Sequence, residues 1–321
     1  MYINCKEEEK TYDIWKPNYT KSFKENKASY LNGILLCLAN IELLNNYFMD
    51  REILKGQFDN NSIMSKNFYK IIQDMWSVGF EEENKEENNN IYKEFKLKIT
   101  EFTKNEKIFE DPKLLIEFLL LKIHNEIKRD INNIKNENEN EILKLDVIYS
   151  GKENLQEEFY KSNNSIIQKL FFFEMEENDF DDNNKKYIIN CTLDFKIENI
   201  NMKKKEKINI SKFLDYLNNN EKRKMITFPK ILIIIINHNE EKNIQFEIEE
   251  EIDFKKYVPE DIKNNTIYQL ISFAVKEKTF CKSPVNNKWY KYKIDKNTKL
   301  EDKVKLKKDQ IPHILFYLKN S

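Results

Sequence analysis

The chain has 321 residues, of which 40% are apolar and 13% aromatic, enough to bury a sizeable core as one large domain or two ordinary ones. Its 54 basic and 55 acidic side chains cancel to a formal net charge of -1, so no global field of either sign draws in nucleic acid or an anionic membrane surface. No apolar run reaches the ~20 residues that span a bilayer, and the amino-terminal MYINCKEEEKTYDIW lacks the apolar core of a signal peptide, which together predict an intracellular protein.

Residues 1–22 read as a polar lead-in with isolated aromatics such as Tyr12, Trp15 and Tyr19. From Leu31 to Asn40 apolar residues cover most of a helical circumference, and such a helix is central and buried. Ser29 falls at or just before its amino terminus, where free N–H groups and the helix dipole favour a thiolate or an oxyanion; its plainer role is an N-cap. A second amphipathic helix is predicted over Phe68–Trp76, followed by a solvated acidic loop, EEENKEENNN. In DPKLLIEFLLLKIHNEIKR, Asp111 is the expected N-cap and Pro112 takes the first helical position, with Leu115, Phe118, Leu119, Ile123 and Ile127 on the buried face. Residues 132–141 read as a loop or a frayed helix end.

The period then changes. KYIINCTLDFKIENI alternates Ile189, Cys191, Leu193, Phe195 and Ile197 against polar neighbours, predicting one strand with a wet face. Ser211 is the expected cap of a short helix, FPKILIIIINH reads as a strand buried on both faces, and IQFEIEEEIDF alternates again. IYQLISFAV, KWYKYKID and IPHILFYLK are three more strands, in which Trp289, Tyr290 and Tyr292 read as core or cross-strand pairs. The runs Lys203–Lys205 and Glu249–Glu251 read as solvated faces. Helices first and antiparallel strands later make an α+β arrangement. Cys5, Cys37, Cys191 and Cys281 form no CxxC pair, which predicts ordinary thiols, with neither disulfides nor a metal site.

Several of these segments, in order, resemble ubiquitin-specific proteases, the ubiquitin carboxyl-terminal hydrolases of papain-like fold. NKASYLNGILLCLANIELLNNYF is similar to the family's nucleophile segment, Gly-Leu-x-Asn-x-Gly-Asn-Thr-Cys-Tyr-x-Asn-Ser-x-Leu-Gln-x-Leu. Tyr30, Asn32, Leu35 and Leu38 keep their places and Ser29 takes that of the cysteine. The helix from Asp111 resembles the Gln-Asp-Ala-x-Glu-Phe-Leu box through Asp111, Ile116, Leu120 and His124, with Glu110 and Leu114 replacing its glutamine and glutamate. Pro229 and Leu232, YQLISFAV, KWYKY and IPHILFYLK resemble the later boxes, so the likeness runs from about Phe23 to Lys319.

The resemblance implies a single domain over 23–319, with a helical thumb over about 23–131 and an antiparallel β palm and reduced fingers over about 165–319. It also implies where chemistry should lie. The oxyanion position is Lys24, the nucleophile position Ser29 and the base-orienting position Lys293, with Asp295 two residues on; no histidine occurs in 276–288, where the base should be. Of the three histidines, His124 is on the second-box helix, His238 ends a buried strand and His313 begins the closing one, and none is expected to serve Ser29. A cysteine protease needs a thiolate, a base, an orienting group and oxyanion donors. The expectation is therefore an inactive domain that binds ubiquitin or a protein complex, without cofactor, metal, nucleic acid or membrane. Its fingers hold only Cys191 over 171–210, and zinc needs four ligands. Two alternatives remain: an active or weakly active deubiquitinase, and a spliceosome-type inactive member binding partners other than ubiquitin. Cys281 is read as a plain strand thiol.

Overall fold

The computed structural model describes residues 30–50, 58, 61–76, 85–128, 148–150, 164–178, 185–197, 207–217, 219, 223–238, 245–257, 266–275, 278–293, 296–301, 304, 306 and 310–320. The lead-in, Lys24, Ser29, the 132–141 segment, Lys203–Lys205 and Asp295 lie outside the described residues.

The amino-terminal half is helical. Helix α1 (Tyr30–Ala39) buries Leu31, Ile34, Leu35, Leu36, Cys37, Leu38 and Ala39, as its all-round apolar pattern requires. Such a helix must find partners for its last carbonyls inside the protein. Asn40 Nδ2 donates to Leu36 O at 2.7 Å and Trp76 Nε1 to Ala39 O at 2.7 Å, with Asn45 Nδ2 on the same Ala39 carbonyl. Helix α2 (Glu42–Met49) follows, and α3 (Ile63–Trp76) begins five residues before the expected start at Phe68. Where an acidic loop was expected, the chain instead enters α4 (Lys85–Thr103). Glu and Lys are good helix formers, and Tyr92, Phe95 and Ile99 at helical spacing bury a narrow stripe that the surrounding Glu and Asn obscure. Phe48, Phe68 and Phe95 then stack edge-on and tilted across α2, α3 and α4.

After a 3-10 turn at Glu106–Glu110, α5 (Pro112–Ile127) starts as read: Asp111 Oδ1 accepts from the amides of Lys113 at 2.9 Å and Leu114 at 3.0 Å. Leu115, Leu119, Ile123 and Ile127 are buried on it and Phe118 is half-buried. Helix α6 (Ile166–Phe171), capped by Ser165, packs against α5.

The strands are β1 (Ile148–Ser150), β2 (Phe173–Asn178), β3 (Lys185–Asn190), β4 (Leu193–Lys196), β5 (Lys207–Ile208), β6 (Arg223–Met225), β7 (Ile231–Asn237), β8 (Gln245–Phe246), β9 (Glu251–Asp253), β10 (Ile267–Val275), β11 (Lys278–Lys282), β12 (Trp289–Lys293), β13 (Lys296–Glu301) and β14 (Ile314–Lys319). The main sheet runs β13-β12-β11-β10-β14-β7-β4, with β9 on the first residues of β10, and it is antiparallel except that β4 lies parallel to β7. A smaller sheet has the order β1-β3-β2-β6, and β5 pairs with β8. Every residue of β7 from Ile231 to Ile236 is buried, because the sheet is covered on both sides. Ile231, Ile233 and Ile235 face the core shared with the helices; Leu232, Ile234 and Ile236 face a second core with Phe213, Leu214 and Phe254.

Four further sequence expectations are corrected. The single strand expected over Lys186–Ile200 is two, β3 and β4, which leave the bend at Cys191–Thr192 for different sheets; all five apolar positions are nonetheless buried. Helix α7 (Ile210–Tyr216) is capped by Asn209, whose side chain accepts from Lys212 N, and Ser211 sits in its first turn. Glu249, expected on a solvated face, accepts from Ser211 N at 2.9 Å and from Ser211 Oγ at 2.5 Å, so a carboxylate sits against the positive end of α7. The alternation of IQFEIEEEIDF is likewise divided between β8 and β9.

Candidate functional site

The site to be tested lies where α1 begins and meets the β10–β11 hairpin. Gly33 sets the approach: a Cβ placed on it would lie 3.2 Å from Ala274 Cβ and 3.2 Å from Thr279 Oγ1, tighter than ordinary van der Waals contact, so these neighbours would have to give by a few tenths of an ångström. One turn on, the Cys281 thiol donates to Leu36 O at 3.6 Å. Burial pushes that thiol well above its ordinary range, and the hydrogen bond and charge of Cys37 push it the same way. Burial also raises Cys191, with Glu117 adding to it. These three cysteines are free and buried, so neither Cys191 nor Cys281 presents a thiolate near neutral pH. Cys281 is a strand thiol, as read from the sequence.

At the amino end of α1 the ring of Tyr30 meets that of His313 edge-on with centroids 5.0 Å apart, and His313 stacks on His238 at 4.8 Å. His313 is fixed by its backbone, its N donating to Ala274 O at 2.9 Å and its O accepting from Ile236 N at 3.0 Å. The structure therefore brings His313 beside Tyr30, the neighbour in sequence of Ser29, and His238 beside His313. No signal in the sequence joined His238 to His313, since they begin and end strands that only the β7–β14 register sets side by side.

Segment 278–288 is a strand and a tight turn. Ser283 Oγ accepts from Val285 N, Ser283 O from Asn287 N, and Asn287 takes a positive φ of 57° to close the turn onto β12. Trp289, Tyr290 and Tyr292 are buried, as core or cross-strand aromatics should be. Lys293, at the expected orienting position, lies opposite Lys278 on the face that carries Phe280 and Trp289, whereas α1 packs on the face of Cys281, Tyr290 and Tyr292. Lys293 is thus placed away from α1.

Two further polar clusters lie on α5. His124 Nδ1 is 2.7 Å from Ser165 Oγ, which also accepts from Gln168 N at 3.1 Å. Burial, aided by Lys128, lowers His124 to about 4. At 4% and 5% exposure the pair is closed to a substrate and ties α5 to α6. The other cluster joins α5 to the sheet: Lys113 Nζ binds Asp194 Oδ2 at 3.0 Å, Asn237 Nδ2 donates to the same carboxylate, and Thr192 Oγ1 donates to Glu117 at 2.5 Å. Burial pulls Lys113 down, yet its hydrogen bond to Asp194 and the charges of Asp194, Glu117 and Asp111 outweigh it and raise the group. Glu117 is raised by burial against the pull of Thr192 and Lys113. Among the described residues no group of three or more His, Cys, Asp and Glu is arranged to hold a metal ion, and no helix is long and apolar enough to cross a membrane.

Solved structures share this architecture. The Ubp8-Sgf11-Sgf73-Sus1 SAGA DUB module aligns with a TM-score of 0.65 at 16% identity, over 96% of this chain and 69% of that one. The module bound to ubiquitin aldehyde gives 0.63 at 14% identity, over 96% and 71%. An essential yeast splicing factor gives 0.57 at 14% identity, over 95% and 70%. At such identities the likeness is one of fold. No curated protein sequence matches the chain. The ubiquitin carboxyl-terminal hydrolase family model, by contrast, matches residues 25–317. With that match spanning helices and sheet alike, the chain belongs to the ubiquitin carboxyl-terminal hydrolase family.

Proposed function

We propose that the chain is a non-hydrolysing ubiquitin carboxyl-terminal hydrolase fold that serves as a binding module for ubiquitin or for another protein. The observation that carries this reading is the close seam between α1 and the β10–β11 hairpin, where a Cβ on Gly33 would lie only 3.2 Å from Ala274 Cβ and from Thr279 Oγ1. A polypeptide tail passing between those elements would need them to part. The residue types agree: Ser29 stands where the family's nucleophile is a cysteine, Lys24 takes the oxyanion position, Lys293 or Asp295 the orienting one, and 276–288 holds no histidine. Serine is barely ionised at neutral pH and needs an adjacent base. In this reading residues 1–22 are a lead-in, about 23–131 form the thumb and about 165–319 the palm and fingers, the fingers relying on strand pairing without zinc.

Titration of fluorescently labelled ubiquitin tests the reading, with saturable binding and no cleavage as the expected result. A covalent adduct between the chain and a ubiquitin carboxyl-terminal electrophile would overturn it. Absence of ubiquitin binding favours the second reading, partners other than ubiquitin, which the likeness to a splicing factor supports.

A further inference from the structure

Where α1 runs along β11, two of the buried thiols come together. Gly33 lies against Thr279, and the four residues from Gly33 to Cys37 rise about 6.0 Å along the helix. The two residues of strand from Thr279 to Cys281 rise about 6.8 Å. Helix and strand therefore keep step, and Cys37, on the same helix face as Gly33, comes down onto Cys281. The side chains agree: the Cys281 thiol donates to Leu36 O at 3.6 Å, and Cys37 shares a hydrogen bond with that thiol. Both cysteines are fully buried and both are free. Cys191 lies instead beside Glu117 and Lys113.

A third group joins the pair. Ser272 of β10 is directly opposite Cys281, so the two share a face. Tyr268 and Leu270, earlier on β10, face the second core, and regular alternation would carry Ser272 there as well. The register of β10 with β14 shifts between Leu270 and Ser272, and this irregularity re-aims the serine to the α1 side, opposite Phe316. Its hydroxyl is buried and has no hydrogen-bond partner among the described residues. Such a group is costly to bury and calls for a reason.

We propose that Cys37 and Cys281 are an oxidative modification site, at which a peroxide converts the two thiols to a disulfide that staples α1 to the main sheet. One sulfur attacks a peroxide oxygen and the O–O bond breaks, leaving a sulfenic acid and a first water. The other sulfur displaces the sulfenic hydroxyl, which leaves with the remaining thiol proton as a second water while the Sγ–Sγ bond forms. The thiols are oxidised and the peroxide is reduced. Ser272 gives the sulfenic oxygen a hydrogen bond. Hydrogen peroxide suits a buried pair because it is small and uncharged, whereas a charged oxidant would have to shed its water to enter. Burial holds the proton on Cys281, so the reaction is slow. The inference is independent of what the module binds.

Intact mass and peptide mapping of the full chain test the proposal, after hydrogen peroxide treatment under native conditions and alkylation in denaturant. The expected product has lost two hydrogens, contains one linked peptide pair joining Cys37 to Cys281, and returns to its starting mass with dithiothreitol. The oxidised chain should unfold at higher urea than the reduced one, because the link restrains the unfolded chain. Cys37→Ala and Cys281→Ala should each lose both the link and that shift. Ser272→Ala should form the link about fivefold more slowly. The proposal is overturned if both thiols are still alkylated after peroxide, as expected of plain core thiols, or if they pass to sulfinic or sulfonic acid without joining. It is equally overturned if the link joins another pair or forms only in denaturant, and an unchanged rate in Ser272→Ala overturns the part given to Ser272.

Discussion

His124 shows how one residue couples burial to pH. It is 4% exposed and bonded to Ser165, and its pKa is lowered from 6.5 to about 4. Above the upper value neither folded nor unfolded chain carries the proton. As pH falls through that window the unfolded chain binds it and the folded chain does not, so stability falls, by roughly 3 kcal/mol from this group once both values are passed. In His124→Gln, urea midpoints measured across the window should therefore depend less on pH than in the wild type. Gly33 makes a second prediction. Gly33→Val sets a branched side chain against Ala274 and Thr279 and should cost about 1–3 kcal/mol in urea unfolding. Residue by residue, the sequence showed which residue types are absent better than which side chains meet. The missing histidine of 276–288 is a matter of composition, whereas the contact of His313 with Tyr30 depends on a register that no local pattern encodes.

Among the elements, α3 depends on a group far away in sequence. Glu126 of α5 accepts from Met64 N at 3.2 Å and from Ser65 N at 2.7 Å and Ser65 Oγ at 2.8 Å, serving as a cap for the first turn of α3. Burial raises its carboxyl against the pull of these donors. Glu126→Ala leaves two helix-end amides without this acceptor and should destabilise by about 1–3 kcal/mol, with amide exchange quickening first in Met64 and Ser65. Elements with a strong period were readable: α1, α5, β7, β10, β12 and β14 lie where the apolar pattern puts them. α4 was hidden because Glu and Asn surround its stripe of Tyr92, Phe95 and Ile99, and the β3–β4 break because alternation continues unbroken through the bend at Cys191. Strands of two or three residues, such as β5 and β8, are too short to carry a period.

For the whole molecule, the main sheet is a wall with two covered faces. Its helical side holds α1, and its other side holds α7. The pairing of Lys278 with Lys293 and of Lys291 with Lys299 was present in the sequence only as scattered charges, since opposite positions exist only once β11, β12 and β13 pair. The family's architecture is retained through a buried helix, Tyr30–Ala39, that earns its place by the core it fills. In the proposed reading the fold serves packing and binding and lacks more than one catalytic part, so restoring one part should restore nothing. Hydrolysis of a fluorogenic ubiquitin carboxyl-terminal amide by the wild type and by Ser29→Cys tests this most directly. The account predicts no release above background from either protein, and sustained turnover by the wild type or by Ser29→Cys would contradict it.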